Sequence, residues 1–217
     1  MHSNSTSSRR RTRVAVLVPV AAVAAGAMLF GATRATADTP MASAVLRDAN
    51  GALVGRVRFY DLRHHTTVKV RLNADAHVTA AQFHGFHVHA GADAASGTKG
   101  CVADPAKASN TWFVSAGGHL KDDGQVHSQH NGDLQSLLVN RDGTATSSFE
   151  TDRLTASDLE GRAIVLHAGA DNFGNVPTGT APDQYTPNSP AAQTKTQNTG
   201  NAGDRVACGV IHVTSEG

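Results

Sequence analysis

From about residue 40 onward, the chain is a series of short segments in which apolar and polar residues alternate, separated by turn residues. Segments 44–47 and 53–59 flank Asp48-Ala49-Asn50-Gly51 and predict a β-hairpin. Further strands are predicted at 66–72, 83–89, 134–139, 144–149, 163–167 and 206–213. Many short strands without a long amphipathic helix predict an all-β chain that folds as an antiparallel sandwich or barrel.

The first 37 residues predict a secretory signal rather than part of the fold. Arginines at 9–11 and 13 precede an apolar run over 14–32, and Ala35-Thr36-Ala37 forms a cleavage site before Asp38. The run is also about long enough to span a bilayer, so a retained membrane anchor is the alternative. We therefore expect an exported protein that is secreted, held in the periplasmic or cell-wall space, or membrane-anchored.

Charge excludes one class of partner once the signal is set aside. The first 37 residues hold five arginines and no acidic residue, so the remaining chain has 14 basic and 18 acidic side chains. A net charge of −4 argues against nucleic-acid binding, which needs a basic face.

Two long irregular segments interrupt the strand pattern, at 90–118 and 172–204, and residues 154–159 predict a short helical turn. Loops of this length in a compact domain are usually functional or pinned in place. Cys101 lies in the first loop and Cys208 in the last strand. An even cysteine count in an exported protein indicates one disulfide, with two buried free thiols as the alternative.

Histidines recur at spacings that suit metal ligation. His87 and His89 are two residues apart in a predicted strand, so their side chains project from one face. His127, His130 and Asp133 offer three ligand groups within seven residues of a predicted loop. A single histidine in such a place is more often solvated or structural than a ligand. A metal site is indicated because several of these groups occur in one chain.

These segments together resemble the copper/zinc superoxide dismutases over residues 42–217. The resemblance rests on five segments, which are 85–89, 115–119, 130–134, 165–171 and 200–211. It implies a Greek-key antiparallel β-sandwich or flattened barrel, immunoglobulin-like, with two long functional loops and a domain that spans 38–217. It also implies dismutation of superoxide to dioxygen and hydrogen peroxide by a copper redox centre with a structural zinc. A homodimer is a candidate assembly.

The resemblance also implies two ligand sets that share one side chain. The copper ligands would be His87, His89, His119 and His167. The zinc ligands would be His119, which bridges the two ions as an imidazolate, and His127, His130 and Asp133. Only fourteen positions separate His119 from Asp133, fewer than in the familiar eukaryotic enzymes.

Other residues receive supporting roles from the same resemblance. Asp171 would hydrogen-bond to His87 and His127, and Arg205 would attract the anionic substrate. His119 would also donate a proton. Cys101 and Cys208 would form the disulfide within the subunit. His84 would bond to the main chain, and the histidines that match no ligand position are His64, His65, His77 and His212.

Two functions without catalysis are the alternatives. One is an extracytoplasmic module that binds or buffers copper without turnover, and it would need neither Arg205 nor a bridging His119. The other is an inactive sandwich kept for adhesion, in which ligands should be missing. All the expected ligands are present in the sequence.

Overall fold

A computed structural model gives the fold, and it describes residues 39–62, 65–73, 78–91, 100–174 and 190–214. The described residues belong to one compact unit. The signal expected at 1–37 lies outside the described residues and stays a prediction. Within the described ranges, no helix is long and apolar enough to cross a lipid bilayer.

The described residues form ten β-strands and two α-helices. The strands are β1 (Ala42–Arg47), β2 (Leu53–Leu62), β3 (His65–Leu72), β4 (Gln82–His84), β5 (Phe86–His89), β6 (Leu137–Val139), β7 (Ala145–Thr151), β8 (Ala163–His167), β9 (Arg205–Val210) and β10 (His212–Val213). The helices are α1 (Ala156–Leu159) and α2 (Pro190–Thr199). Two 3-10 turns, Ser109–Thr111 and Val114–Ala116, lie in the first long loop.

The strands pair antiparallel in a larger and a smaller sheet. The larger sheet has the order β5-β8-β9-β1-β2-β3-β7, with β10 also paired to β1, and the smaller sheet pairs β4 with β6. Strands that are not consecutive in the chain are neighbours at β5 and β8, β9 and β1, β3 and β7, and β4 and β6, so the chain crosses over between strands as Greek-key connections do. The all-β prediction is confirmed, and the crossovers bring β5 and β8 side by side at the end of the larger sheet.

The core follows the alternation that the sequence predicts. Ala42, Ala44 and Leu46 of β1 are buried while the residues between them are more exposed. In the same way, Val68 and Val70 of β3 pack inward. These inward-facing residues belong to the main hydrophobic cluster, and burial of its apolar surface is the chief contribution to the stability of the fold.

The first long loop covers the other face of β8 and β9. Phe113 and Ala116 of that loop pack with Ala163 and Val165 of β8 in a second hydrophobic cluster, and every residue of β8 is buried. A disulfide joins Cys101 to Cys208, so the predicted pairing is confirmed. In the chain-entropy model, closing a loop of this size contributes about 4–5 kcal/mol.

Several predicted elements differ from the structure. The strand predicted at 206–213 is divided at Ile211 into β9 and β10, and the strand predicted at 134–139 is limited to β6. The segment 172–204 was predicted to be a loop throughout, but residues Pro190–Thr199 form α2. The predicted strand at 83–89 is divided at Gly85 into β4 and β5. A Cβ on Gly85 would lie 2.7 Å from the Cβ of Ala202, so the chain bends where two segments approach closely.

Candidate metal centre

Four histidines from β5, β8 and the loop between β5 and β6 converge, and we call them the four-histidine cluster. His87 and His89 lie on β5, His167 ends β8, and His119 lies opposite His89 in an isolated β-bridge. Each ring offers one nitrogen, and these nitrogens lie within 4.8 Å of one another. All four side chains are buried. The strand pairing of β5 with β8 positions three of them, and the loop that leads to His119 supplies the fourth.

Backbone carbonyls decide which nitrogen of two rings faces this cluster. Nδ1 of His89 lies 2.9 Å from the carbonyl oxygen of Gly117, and Nδ1 of His167 lies 3.2 Å from that of Gly203. With Nδ1–H donating to these carbonyls, each Nε2 presents a lone pair. The two Nε2 atoms face each other at 3.3 Å, which suits two ligands of one cation.

A second group, the mixed cluster, consists of His119, His130 and Asp133. Nδ1 of His119 lies 2.8 Å from Oδ1 of Asp133, and Nδ1 of His130 lies 3.2 Å from the same oxygen. The two Nδ1 atoms are 3.3 Å apart. His119 therefore belongs to both clusters, and its Nδ1 is the nitrogen that contacts Asp133 and His130.

Asp171 connects His87 of the four-histidine cluster to His127 through its carboxylate. Its Oδ2 lies 2.7 Å from Nε2 of His87, and its Oδ1 lies 2.9 Å from Nε2 of His127. Both histidine side chains are fully buried there. Contacts of this kind orient an imidazole and increase its basicity toward a metal on the other nitrogen.

His127 is placed slightly apart from the mixed cluster. Its ring centroid lies 5.9 Å from that of His119 and 6.1 Å from that of His130. It can join a ligand group with His87 and Asp133. Its backbone N–H donates to the carbonyl of Gln197 in α2 at 2.7 Å, so the second long loop holds its position.

The nitrogen atoms themselves test whether metals fit. Nδ1 of His87 and Nε2 of His119 are buried and have no hydrogen-bond partner among the residues that the structure describes. Buried polar atoms are nearly always satisfied in folded proteins. Because both histidines belong to the four-histidine cluster, whose ligand nitrogens lie within 4.8 Å of one another, a cation is the partner that fits them.

Burial keeps the ring nitrogens in their metal-binding form. Desolvation lowers the pKa of His87 and His89 well below 6.5, and neighbouring imidazoles lower it further. It also lowers the pKa of His130, and that of His167 to about 4. Burial alone would raise the pKa of Asp133, but contact with His119 lowers it overall. Neutral imidazoles and an ionised carboxylate are the species that bind metals.

Arg205 lines a cavity together with two of the clustered histidines. Nη1 of Arg205 donates to the carbonyl of Phe113 at 2.5 Å, and Nη2 donates to that of Gly117 at 2.6 Å. The cavity has a volume of about 260 Å³, and Arg205, His119 and His167 are among its lining residues. Burial lowers the pKa of Arg205, yet an arginine remains protonated in proteins. A fixed positive charge therefore lies beside the four-histidine cluster.

Sequence reasoning missed the groups that hold these side chains in place. The carbonyls of Gly117 and Gly203 orient two rings, and the only signal was that both glycines lie in the segments that carry the resemblance. His84 lies with each ring nitrogen 2.7 Å from a main-chain carbonyl, so its predicted backbone bonding is confirmed. His65 and His212 are exposed, and His64 and His77 lie outside the described residues.

Comparison with known proteins agrees with this geometry. The family model of copper/zinc superoxide dismutase matches residues 53–211. A superoxide dismutase [Cu-Zn] of Mycolicibacterium paratuberculosis is 36% identical over 189 residues, which cover 83% of this chain and 78% of the relative. The extracellular superoxide dismutase [Cu-Zn] of Brugia pahangi is 29% identical, covering 84% and 80%.

A solved structure has a related fold. The clock protein EA4 superposes with a TM-score of 0.54 at 25% identity, covering 81% of this chain and 96% of that one. The matched family residues include every strand from β2 to β9, and with them both clusters and Arg205. The chain therefore belongs to the copper/zinc superoxide dismutase family.

Proposed function

We propose that the chain dismutates superoxide, converting two superoxide radicals and two protons into dioxygen and hydrogen peroxide. One observation carries the proposal. A cluster of four buried imidazoles, with ring nitrogens directed at one another, opens on a cavity that also holds Arg205. A redox metal site and a receptor for an anion are thus side by side.

The ligand chemistry supports one assignment of the metals. Imidazole suits copper, so the four-histidine cluster would hold copper through His87, His89, His119 and His167. Zinc takes nitrogen and carboxylate ligands in tetrahedral sets, so it would be held by His119, His127, His130 and Asp133. When bound, copper supplies the one-electron redox chemistry of the reaction, and zinc, which has none, supports the structure.

The chain's own residues bind the substrate and handle a proton. Two carbonyls fix the guanidinium of Arg205 and account for two of its five N–H donors, so an anion in the cavity meets a stationary cation. His119 lines the same cavity, and its Nε2 can hold a proton and give it to a reduced oxygen species. Asp133, 2.8 Å from Nδ1 of His119, keeps that ring in one orientation.

Export is part of the proposal. The predicted signal over 1–37, the Cys101–Cys208 disulfide and a relative named as extracellular all support action outside the cytoplasm. The mass of the exported protein tests it, because cleavage should leave a chain that begins at Asp38. A homodimer belongs to the same proposal, and sedimentation equilibrium of the metal-loaded protein measures it.

Metal content and activity of one preparation test the function. The full chain, loaded with both metals, should contain one copper and one zinc and should suppress reduction of cytochrome c by a superoxide source. Bound copper without dismutation would instead favour the copper-buffering function. The position of Arg205 in the cavity argues against that outcome, because a metal store needs no anion receptor.

A further inference from the structure

The turn between His127 and His130 is short and strained. Only Ser128 and Gln129 separate the two histidines, and the N–H of Gln129 donates to the carbonyl of Val126 at 2.9 Å. Ser128 has φ of +74°, in the left-handed region that residues with a Cβ seldom adopt. A strained conformation persists only where the surroundings impose it. Some group must therefore hold this turn.

Arg153 contacts the turn from a different part of the chain. Its Nη1 lies 3.1 Å from the carbonyl oxygen of Ser128 and 3.3 Å from that of His130. One guanidinium nitrogen thus reaches both sides of Gln129. Hydrogen bonds from a charged donor are stronger than those from a neutral one.

The base of Arg153 is itself fixed. The residue follows β7, which is paired with β3 along its whole length. The backbone N–H of Arg153 donates to Oγ1 of Thr151 at 3.2 Å. The guanidinium therefore connects the histidine turn to a regular sheet rather than to another loop.

The turn faces open space on this side. Ser128, Asp133 and Arg153 line a cavity of about 420 Å³. The guanidinium of Arg153 therefore reaches the turn along the wall of this cavity. The backbone N–H of His130 also donates to Oδ2 of Asp133 at 3.1 Å. The position of His130 therefore affects the orientation of a second proposed zinc ligand.

We propose that Arg153 is a positioning residue for the zinc site, which clamps the turn so that His127 and His130 are held at their binding positions. The inference rests on the proposed zinc assignment. The turn is short and contains a strained residue, and the arginine supplies a constraint besides the Gln197 carbonyl that accepts from the N–H of His127. Within the described residues, Arg153 makes no hydrogen bond to the four-histidine cluster. The side chains of that cluster are positioned by β5, β8 and the carbonyls of Gly117 and Gly203.

Zinc affinity is the test, measured on the full chain with its disulfide formed, by competition with a chromophoric chelator. Arg153→Met keeps an unbranched stem and removes the donors, and it should raise the Kd for zinc about tenfold, the low end for residues that support metal ligands. The Kd for copper should change less than twofold. Cobalt bound in place of zinc should show an altered visible absorption spectrum.

Two further variants separate clamping from a general loss of stability. Arg153→Lys keeps a cation with N–H donors, and its zinc affinity should lie between those of wild type and Arg153→Met. Arg141→Ala, in the β6–β7 turn, removes an equal charge elsewhere and should leave zinc affinity unchanged. Equal weakening of copper and zinc in Arg153→Met, or none of either, would overturn the proposal.

The strained turn itself gives an independent check. Glycine adopts positive φ without steric cost. In the Ser128→Gly background, Arg153→Met should therefore cost less zinc affinity than in wild type. The same loss in both backgrounds would contradict a clamp on a strained turn. If the wild-type chain bound no zinc at all, the proposed zinc site would fail, which is a different result from tight zinc binding by Arg153→Met.

Discussion

His89 shows how a single residue joins the proposed copper site to the proposed anion site. Its Nδ1 and Nη2 of Arg205 both lie against the carbonyl of Gly117, at 2.9 and 2.6 Å. We expect His89→Ala to lose copper and to lower dismutation by on the order of 100-fold or more, since even supporting residues cost 10–100-fold. Copper content and activity of the same sample measure this. A variant that keeps full activity would contradict the assignment of His89.

Arg205 makes a prediction that depends on salt. Arg205→Glu should keep both metals, because the guanidinium contacts carbonyls rather than ligand nitrogens. The value of kcat/KM should fall about tenfold or more at low ionic strength, because a positive charge beside a cleft raises the encounter rate of anions by about 10–10³-fold. Salt screens such attraction, so the difference should narrow as salt is added. An unchanged rate at low salt would exclude anion attraction by this residue.

Side chains of the site could be predicted from sequence, whereas the groups that orient them could not. The His87-x-His89 pair predicts two imidazoles on one strand face, because residue type and strand period suffice for that. The carbonyl of Gly117 is 28 residues from His89 in sequence. Because every residue has a backbone carbonyl, residue type does not reveal which carbonyl will orient the ring. Its role follows from the path of the backbone. Arg153 was missed for the same reason, since nothing in its neighbourhood in sequence points to the histidine turn.

At the scale of elements, α2 explains how the second long loop reaches the metal centre. The helix begins at Pro190 and ends at Thr199, before Gly200 with φ of +55°. Proline at the start and glycine after the end are ordinary helix signals. The helix was nevertheless missed because its sequence is polar and lacks an amphipathic period. Local contacts with the site, such as the carbonyl of Gln197 on His127, replace an apolar face.

Gly200, directly after α2, lies against the carboxylate of Asp171. A Cβ there would lie 2.3 Å from both Oδ1 of Asp171 and Nε2 of His127. Gly200→Ala should therefore break the Asp171 bridge, weaken both metals and destabilise the protein by about 1–3 kcal/mol. Chelator competition and denaturant unfolding measure the two effects.

Gly51→Ala is the matched control for this substitution. Gly51 also has a positive φ, of +81°, but a Cβ there has no atom within 4 Å. It should cost backbone strain without loss of metal affinity. Equal metal affinities in Gly200→Ala and Gly51→Ala would show that closeness to Asp171 is unimportant.

At the scale of the whole molecule, strand order brings distant segments to one site. Alternation predicts which face of a strand is buried, and this was confirmed along β1 and over residues 68–72 of β3. It does not say which strands are neighbours, so β5 beside β8 could not be deduced from periodicity. The Greek-key order came only from the family resemblance, and the order has a direct consequence. Histidines 80 residues apart in sequence, His87 and His167, have ring centroids 4.7 Å apart.

The buried histidines should make the stability of the metal-free protein depend on pH. Their pKa is near 6.5 when exposed, and burial lowers that of His87, His89 and His130, and that of His167 to about 4. Between these values the unfolded chain binds more protons than the folded chain. The free energy of unfolding should therefore fall as pH decreases from about 6.5 toward 4. His167 alone would account for about 3 kcal/mol once the pH is below its folded pKa.

Metal binding should move this transition, because a coordinated nitrogen cannot take up a proton. Urea unfolding at a series of pH values, with and without copper and zinc, measures both curves. We expect the metal-loaded protein to keep its stability to lower pH than the metal-free protein, until acid displaces the ions. Superimposed curves would mean that the metals do not occupy these imidazoles. A metal-free curve that is flat between pH 6.5 and 4 would mean that the rings take up protons as freely in the folded chain as in the unfolded one.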